Sequence, residues 1–407
     1  MASKITYMPE FVRSQERELA SRLAEPRRFI QVVSGPRQVG KTTLVRQVVS
    51  KSGIPYRYAS ADEPGLRARG WIDEQWQVAR EQARAKGRKG MILVLDEIQK
   101  VPGWSSAVKR LWDEDSAGDG PRLKIVVLGS APLLLAHGLG ESLAGRFETL
   151  HLPHWSFAEM RDAFGWSLDQ YLFFGSYPGA APLVREPERW ARYVVDALIE
   201  TTISRDVLLL TRVDRPALLR RLFELGSRMS GQIVSYTKML GQLQDTGNVT
   251  TLAHYLDLLA GAGMVTGLQK YAGGAVRSRG SIPKLQVLNT ALTTAQSGRT
   301  LAETKADREA WGRLTESAVG AHLANAAATG ECEVFYWRDR NREVDFVVRS
   351  GPRLAAIEVK SGRPRDSFPG LAAFSDLFNP KRALLVGSGG IPVDEFLLQP
   401  VRHWLAG

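Results

Sequence analysis

At 407 residues the chain is too long for one ordinary core and predicts three domains, while 44% hydrophobic and 24% charged residues exclude an intrinsically disordered or low-complexity protein. Its single cysteine, Cys332, excludes an internal disulfide or a multi-cysteine zinc site, and the sequence lacks both a secretory apolar core and a run of roughly 18 apolar residues. The expectation is a cytoplasmic protein with no membrane partner. The net charge of +11 divides into +6 over residues 1–165, +5 over 166–300 and zero over 301–407. That surplus favours a polyanionic partner such as DNA for the first two thirds, against the plainer reading of solubility alone.

Residues 29–34 (FIQVVS) predict a short buried strand, followed at once by GPRQVGKT and a helix-like TTLVRQVVS. Strand, glycine loop and helix in that order is the arrangement a P-loop requires. Gly35 and Gly40 let the backbone curl so that the N–H groups of Gly35, Pro36's successors Arg37, Gln38 and Val39, and of Gly40 to Thr43 face phosphate oxygens, above the positive end of a helix dipole. Pro36 shares in the loop but has no N–H to give. Lys41 is expected on the β- and γ-phosphates of ATP and Thr42 on Mg²⁺.

MILVLDEIQ (91–99) reads as a central parallel strand closing on Asp96 and Glu97. Asp96 is expected to support Mg²⁺, and Glu97 to orient and deprotonate the attacking water. The bland reading of such a pair is a cap for the next helix. LKIVVLGSA (123–131) predicts a third strand ending in Ser130, a candidate for sensing the γ-phosphate or simply a turn residue after Gly129. Arg146, before a further strand, is the candidate for reaching a neighbouring subunit's nucleotide. Arg205 is its rival, and a structural ion pair with Asp206 or Glu200 is the alternative.

Taken together, GPRQVGKTTL, LDEIQKVPGW, LGSAPLL, LAGRFETLHLPHWSF, FFGSYPGA and TTISRDV resemble bacterial and archaeal AAA+ ATPases with a winged-helix-like middle and a C-terminal domain of uncertain function. The resemblance covers nearly the whole chain. It implies an AAA+ α/β domain (1–165), a helical and winged-helix domain (166–300) and a third α/β domain (301–407). It also implies ATP and Mg²⁺ as cofactors and assembly as a homo-oligomer.

In the middle segment, ALLRRLFELGSRM, SYTKMLGQLQ and TTLAHYLDLLAGAG predict three helices, and MVTGLQKY and PKLQVLN two strands. That order suggests a winged helix. Thr250, Thr251, His254 and Tyr255 fall on the recognition-like helix, and Lys270, Arg277, Arg279 and Lys284 become the wing's candidates for DNA phosphates. A dimerisation or lid module is the other reading.

The last hundred residues predict a helix carrying Glu316 and strands at 333–338, 342–349, 354–361 and 383–387. Asp345 and the Glu358-Val359-Lys360 triplet fall on neighbouring strands, with Glu358 and Lys360 on one face. This pattern resembles the restriction-endonuclease-like PD-(D/E)xK fold, with Val344 where the pattern has proline. The resemblance implies a divalent cation held by Asp345 and Glu358, helped by Glu316, with Lys360 positioning water. An inactive scaffold with Glu358 and Lys360 paired is the alternative, since this segment has no basic surplus.

The function these readings support is an ATP-driven oligomeric machine acting on DNA in repair, recombination or mobile-element processing. An ATP-gated switch or scaffold that binds a protein partner, and an ATP-regulated nuclease, stand beside it.

Overall fold

The structure is a computed structural model that describes residues 11–62, 70–85, 90–118, 121–129, 140, 142–208, 213–244, 248–273, 282–362 and 367–406. It separates into two compact units, Met1–Leu152 and Pro153–Gly407.

In the first unit, strands β1 (Ile30–Ser34), β2 (Tyr56–Ser60), β3 (Ile92–Asp96), β4 (Lys124–Gly129) and β5 (Phe147–His151) form a parallel sheet in the order β2-β3-β4-β1-β5. The order follows from composition. IQVVS and ILVLD are buried along their whole length and lie inside the sheet, whereas YRYAS and FETLH expose side chains and form its edges. Helices Trp71–Ala85 and Trp104–Ala117 supply Trp71, Trp76, Trp104 and Trp112 to a core with Leu93, Leu95, Ile125 and Val127. The indole N–H of Trp76 donates to Asp115 at 2.9 Å, and Asp115 is paired with Arg80 at 2.7 Å, so this polar insertion is satisfied. Because the strands are parallel, the loops after β1 and β3 leave the sheet from one edge.

In the second unit, helices begin at capping boxes where the sequence writes them: Ser156 with Glu159, Ser167 with Gln170, and Thr300 with Glu303. Phe157, on helix Phe157–Phe164 of this unit, packs against Tyr171, its ring centroid 5.3 Å away. The three expected middle helices are present as Pro216–Arg228, Tyr236–Leu243 and Val249–Gly261.

The hairpin that follows differs from a free wing. β6 (Val265–Lys270) and β7 (Lys284–Val287) pair antiparallel, and β6 then pairs parallel with β8 (Glu333–Asp339). With β9 (Arg342–Ser350), β10 (Arg353–Lys360) and β11 (Arg382–Gly387) they make one mixed sheet, in the order β11-β10-β9-β8-β6-β7. The sheet thus runs across the boundary expected at residue 300. Helix Arg308–Ala328 is fastened to β7, Gln286 donating to the Ser317 carbonyl at 2.8 Å. Gly320 permits the close approach, since a Cβ there would lie 2.0 Å from the Gln286 side chain. Among the described residues, no helix is long and apolar enough to cross a membrane.

Candidate active site

β1 ends at Ser34, and Gly35 turns with φ 151° into the loop that leads to helix Lys41–Lys51. A Cβ at Gly35 would sit 2.1 Å from the Leu152 carbonyl oxygen, so no larger residue fits where the chain leaves the neighbouring strands β1 and β5. Gln38 and Gly40 also adopt positive φ, 60° and 88°, and Gly40 is the residue preceding the helix. This curl is what directs successive backbone N–H groups inward. Lys41 is buried, its ammonium donating to the carbonyls of Gly35 at 2.9 Å and Pro36 at 2.6 Å. Arg13 bonds the Val39 carbonyl at 3.2 Å and steadies the far side of the loop.

The end of β3 meets this loop. The Thr42 hydroxyl donates to Asp96 Oδ2 at 3.0 Å, and Asp96 Oδ1 accepts the Glu97 N–H at 2.9 Å. The Tyr58 hydroxyl also bonds Asp96, and burial together with that bond raises the Tyr58 pKa. Glu97 takes a left-handed backbone (φ 54°), ending the strand and starting the turn Ile98–Lys100. Its carboxylate accepts from Gln99 at 2.8 Å and lies 3.2 Å from the Lys100 ammonium. His151, at the end of β5, contacts Ser34 Oγ at 3.3 Å. Burial first, then Lys41 and Arg13, push its pKa down to about 4.

A hydroxyl and a carboxylate in contact form a hard-oxygen donor set of the kind Mg²⁺ takes together with phosphate oxygens and water. Thr42 and Asp96 therefore fit the cation. Ser130 lies outside the described residues.

Arg146 stands at the opposite edge of the sheet. Its carbonyl bonds the Ile30 N–H at 2.8 Å, at the start of β1, whereas the P-loop follows that strand's end. Its guanidinium makes two bonds to Asp113, 2.8 and 3.1 Å, within the same unit. Arg146 is thus remote from its own P-loop and engaged in an ion pair. Arg205 is exposed, and Glu200, one of its expected partners, bonds Arg220 instead.

Of the four expected wing cations, Lys270 is exposed, Arg277 and Arg279 lie outside the described residues, and Lys284 is fully buried. The assignment of Lys284 to a DNA-facing wing is therefore corrected. β7 points that side chain into the C-terminal carboxylates. Its ammonium is 2.7 Å from Glu316, 3.6 Å from Asp345 and 4.0 Å from Glu343, and it donates to the Asp345 carbonyl at 3.1 Å. Tyr255 is likewise buried, its hydroxyl accepting the Arg215 N–H at 2.9 Å, while Thr250 and His254 are exposed.

Glu316, Asp345, Glu358 and Lys360 do converge. Lys360 lies 2.6 Å from Glu358 and 3.8 Å from Asp345, and Asp345 accepts the Val359 N–H at 2.8 Å. Lys360 alone would face Glu316, Asp345 and Glu358 in the pattern predicted from sequence, whereas the cluster holds two ammoniums and adds Glu343. Burial would lower the Lys284 pKa, but Asp345 and Glu316 outweigh it and hold the group charged. Burial, then Asp345, push Glu358 up to about 7 against the pull of Lys360. Among the described residues, no group of three or more His, Cys, Asp or Glu side chains is arranged to hold a metal. The Lys284 ammonium stands among the carboxylates from which the sequence predicts a divalent-cation site.

Comparison with known proteins matches three successive segments of the chain. Residues 27–161 match the family described as an AAA domain, residues 165–303 a domain of unknown function (DUF8612) and residues 311–395 another (DUF4143). Uncharacterized proteins of Mycobacterium tuberculosis and Mycobacterium bovis are each 28% identical over 350 residues, spanning 85% of this chain and 74% of theirs. Among solved structures, a Walker-type ATPase of Pyrococcus abyssi aligns with TM-score 0.43 at 12% identity, covering 69% of this chain and 94% of that one. The RuvB Holliday junction branch migration motor of Thermotoga maritima aligns with TM-score 0.36 at 17% identity, covering 67% and 92%. The family match falls on the segment that carries the parallel sheet and the glycine loop after β1.

Proposed function

We propose that this chain hydrolyses ATP with Mg²⁺ and couples the cycle to DNA as an oligomer, in repair, recombination or mobile-element processing. The observation that carries the chemistry is the 3.0 Å contact between the Thr42 hydroxyl and the Asp96 carboxylate at the mouth of the glycine loop. Backbone N–H groups of the loop would hold the phosphates, and Lys41 would exchange the carbonyls of Gly35 and Pro36 for phosphate oxygens. Mg²⁺, when bound at Thr42 and Asp96, neutralises phosphate charge. Glu97, steadied by Gln99 and Lys100, would accept the proton of the attacking water.

The DNA half of the reading rests on the basic surplus of residues 1–300 and on the exposed Thr250, His254 and Lys270 beside the three-helix segment. A second reading, an ATP-gated scaffold that binds a protein partner, is favoured by the Lys284 contacts. A carboxylate cluster that carries its own cations suits a structural module better than a nuclease. ATPase activity measured side by side with single-stranded, duplex and branched DNA tests both. Stimulation by one of the DNAs supports the DNA machine. An unchanged rate with all three favours the scaffold.

A further inference from the structure

The second unit contains a cavity of about 560 Å³ bounded by the end of helix Pro216–Arg228, the segment 293–299 and the first turns of helix Arg308–Ala328. That is the size range of small-molecule sites. It is unlike an ordinary apolar pocket. Three arginines, Arg228, Arg299 and Arg313, line it against a single carboxylate, Glu224. Its floor is built of buried hydroxyls.

Those hydroxyls are already organised. Thr294 donates to the Phe173 carbonyl at 2.6 Å, and Ser317 donates to Ser230 Oγ at 2.8 Å. Ser230 Oγ also accepts the Val287 N–H at 3.2 Å, so both of its accepted bonds are made and its own proton is left to donate. The arginines form the exposed rim. Arg299 and Arg313 each spend one nitrogen on a surface carboxylate, Asp307 at 2.9 Å and Glu309 at 2.8 Å. Exposed pairs of that kind contribute at most about 1 kcal/mol, so a doubly charged anion can displace or share them. Among the described residues, Arg228 bonds the Glu224 carbonyl alone, at 3.4 Å. Planar guanidiniums present paired donors that match phosphate oxygens. Among the described residues no aromatic side chain lines the cavity, so recognition would fall on phosphate and sugar rather than on base stacking.

We propose that the cavity lined by Arg228, Arg299 and Arg313 is a second anion site that takes a phosphate monoester of about nucleotide size, held by the arginine rim over the hydroxyl floor. The chemistry is shared by a free nucleotide and by the 5′-phosphate of a nucleic-acid strand. The site is independent of the P-loop, and its test must silence that loop.

The experiment is calorimetric titration of the full-length Lys41→Ala chain with AMP, ribose 5-phosphate and a 5′-phosphorylated tetranucleotide, each against its unphosphorylated counterpart. The expected result is one phosphate-dependent site per chain, weakened at least tenfold in Arg228→Gln/Arg313→Gln, whose exposed side chains leave the thermal midpoint unchanged. Preference for AMP would assign a free nucleotide, and preference for the tetranucleotide a strand end. Either supports the site. Uptake that ignores the 5′-phosphate, unchanged affinity in the double variant, or no uptake of any probe at millimolar concentration would overturn it.

Discussion

The ammonium of Lys284, on β7, lies 2.7 Å from the carboxylate of Glu316, on helix Arg308–Ala328, and neither residue belongs to the sequence triplet that draws attention to the C-terminal domain. The contact places a cation among the carboxylates Glu316, Asp345 and Glu343. Removing it should have two consequences. Lys284→Met leaves Glu316, Glu343, Asp345 and Glu358 facing Lys360 alone, and loss of one partner from a buried ionic cluster costs roughly 3–5 kcal/mol. Urea denaturation should show that loss. The same variant should take up Mn²⁺ in calorimetry, whereas the parent should take up none in this unit. Equal uptake by both proteins would mean that Lys284 does not occupy the cation's place.

Arg146 and Asp113 should be separable. If Arg146 serves a neighbouring subunit, Arg146→Ala binds ATP normally and hydrolyses it at least about 10³-fold more slowly, as loss of a transition-state arginine does. Mixing it with Lys41→Ala subunits, which keep Arg146, should restore turnover. Asp113→Ala breaks only a part-exposed pair and should change stability by no more than about 1 kcal/mol while leaving turnover intact. Normal turnover in Arg146→Ala would leave the residue with only its ion pair.

The burial of Lys284 reshapes the expectation for DNA. Substituting Lys270, Arg277 and Arg279 together should weaken binding to all sequences alike, each lost phosphate contact flattening the log–log salt slope by about 0.9 on duplex DNA. Binding measured from low to moderate salt would show it. An unaltered slope would place the phosphate contacts elsewhere.

Much of this architecture was legible because local and global signals coincide. The change from an unbroken apolar run to Asp96 and Glu97 marks β3, and the periodicity of ALLRRLFELGSRM and TTLAHYLDLLAGAG marks two of the middle helices. Lys284 was misread for a physical reason. In PKLQVL, polar and apolar residues alternate, which ordinarily means one wet and one dry face of a strand. Here β7 is covered on both faces, and Lys284 and Gln286 are buried against Glu316 and the Ser317 carbonyl. Only the path of helix Arg308–Ala328 reveals that cover. The sheet crossing residue 300 was hidden likewise, since the parallel pairing of β6 with β8 joins segments distant in sequence.

Acid should weaken the first unit through His151. Its folded pKa of about 4 lies below the ordinary value of 6.5, so the unfolded chain binds the extra proton first. Stability is therefore full above about pH 6.5 and falls as the pH drops toward 4, by up to about 3 kcal/mol. Replacing the ring by His151→Gln removes that titration. Denaturation midpoints between pH 7 and 4 should converge for the two proteins toward the acid end, whereas parallel profiles would exclude His151 as a cause.

Whether Lys41, Thr42, Asp96 and Glu97 act as one ATP-hydrolysing site is decided by equilibrium binding of ATP measured with turnover on the same preparations. Lys41→Ala should lose tight ATP binding, because it removes the ammonium held over the loop at Gly35 and Pro36. Glu97→Gln should bind ATP as the parent does and turn over roughly 10²–10⁴-fold more slowly, since only the proton acceptor is changed. Parental ATP affinity in Lys41→Ala, or parental turnover in Glu97→Gln, would contradict the account.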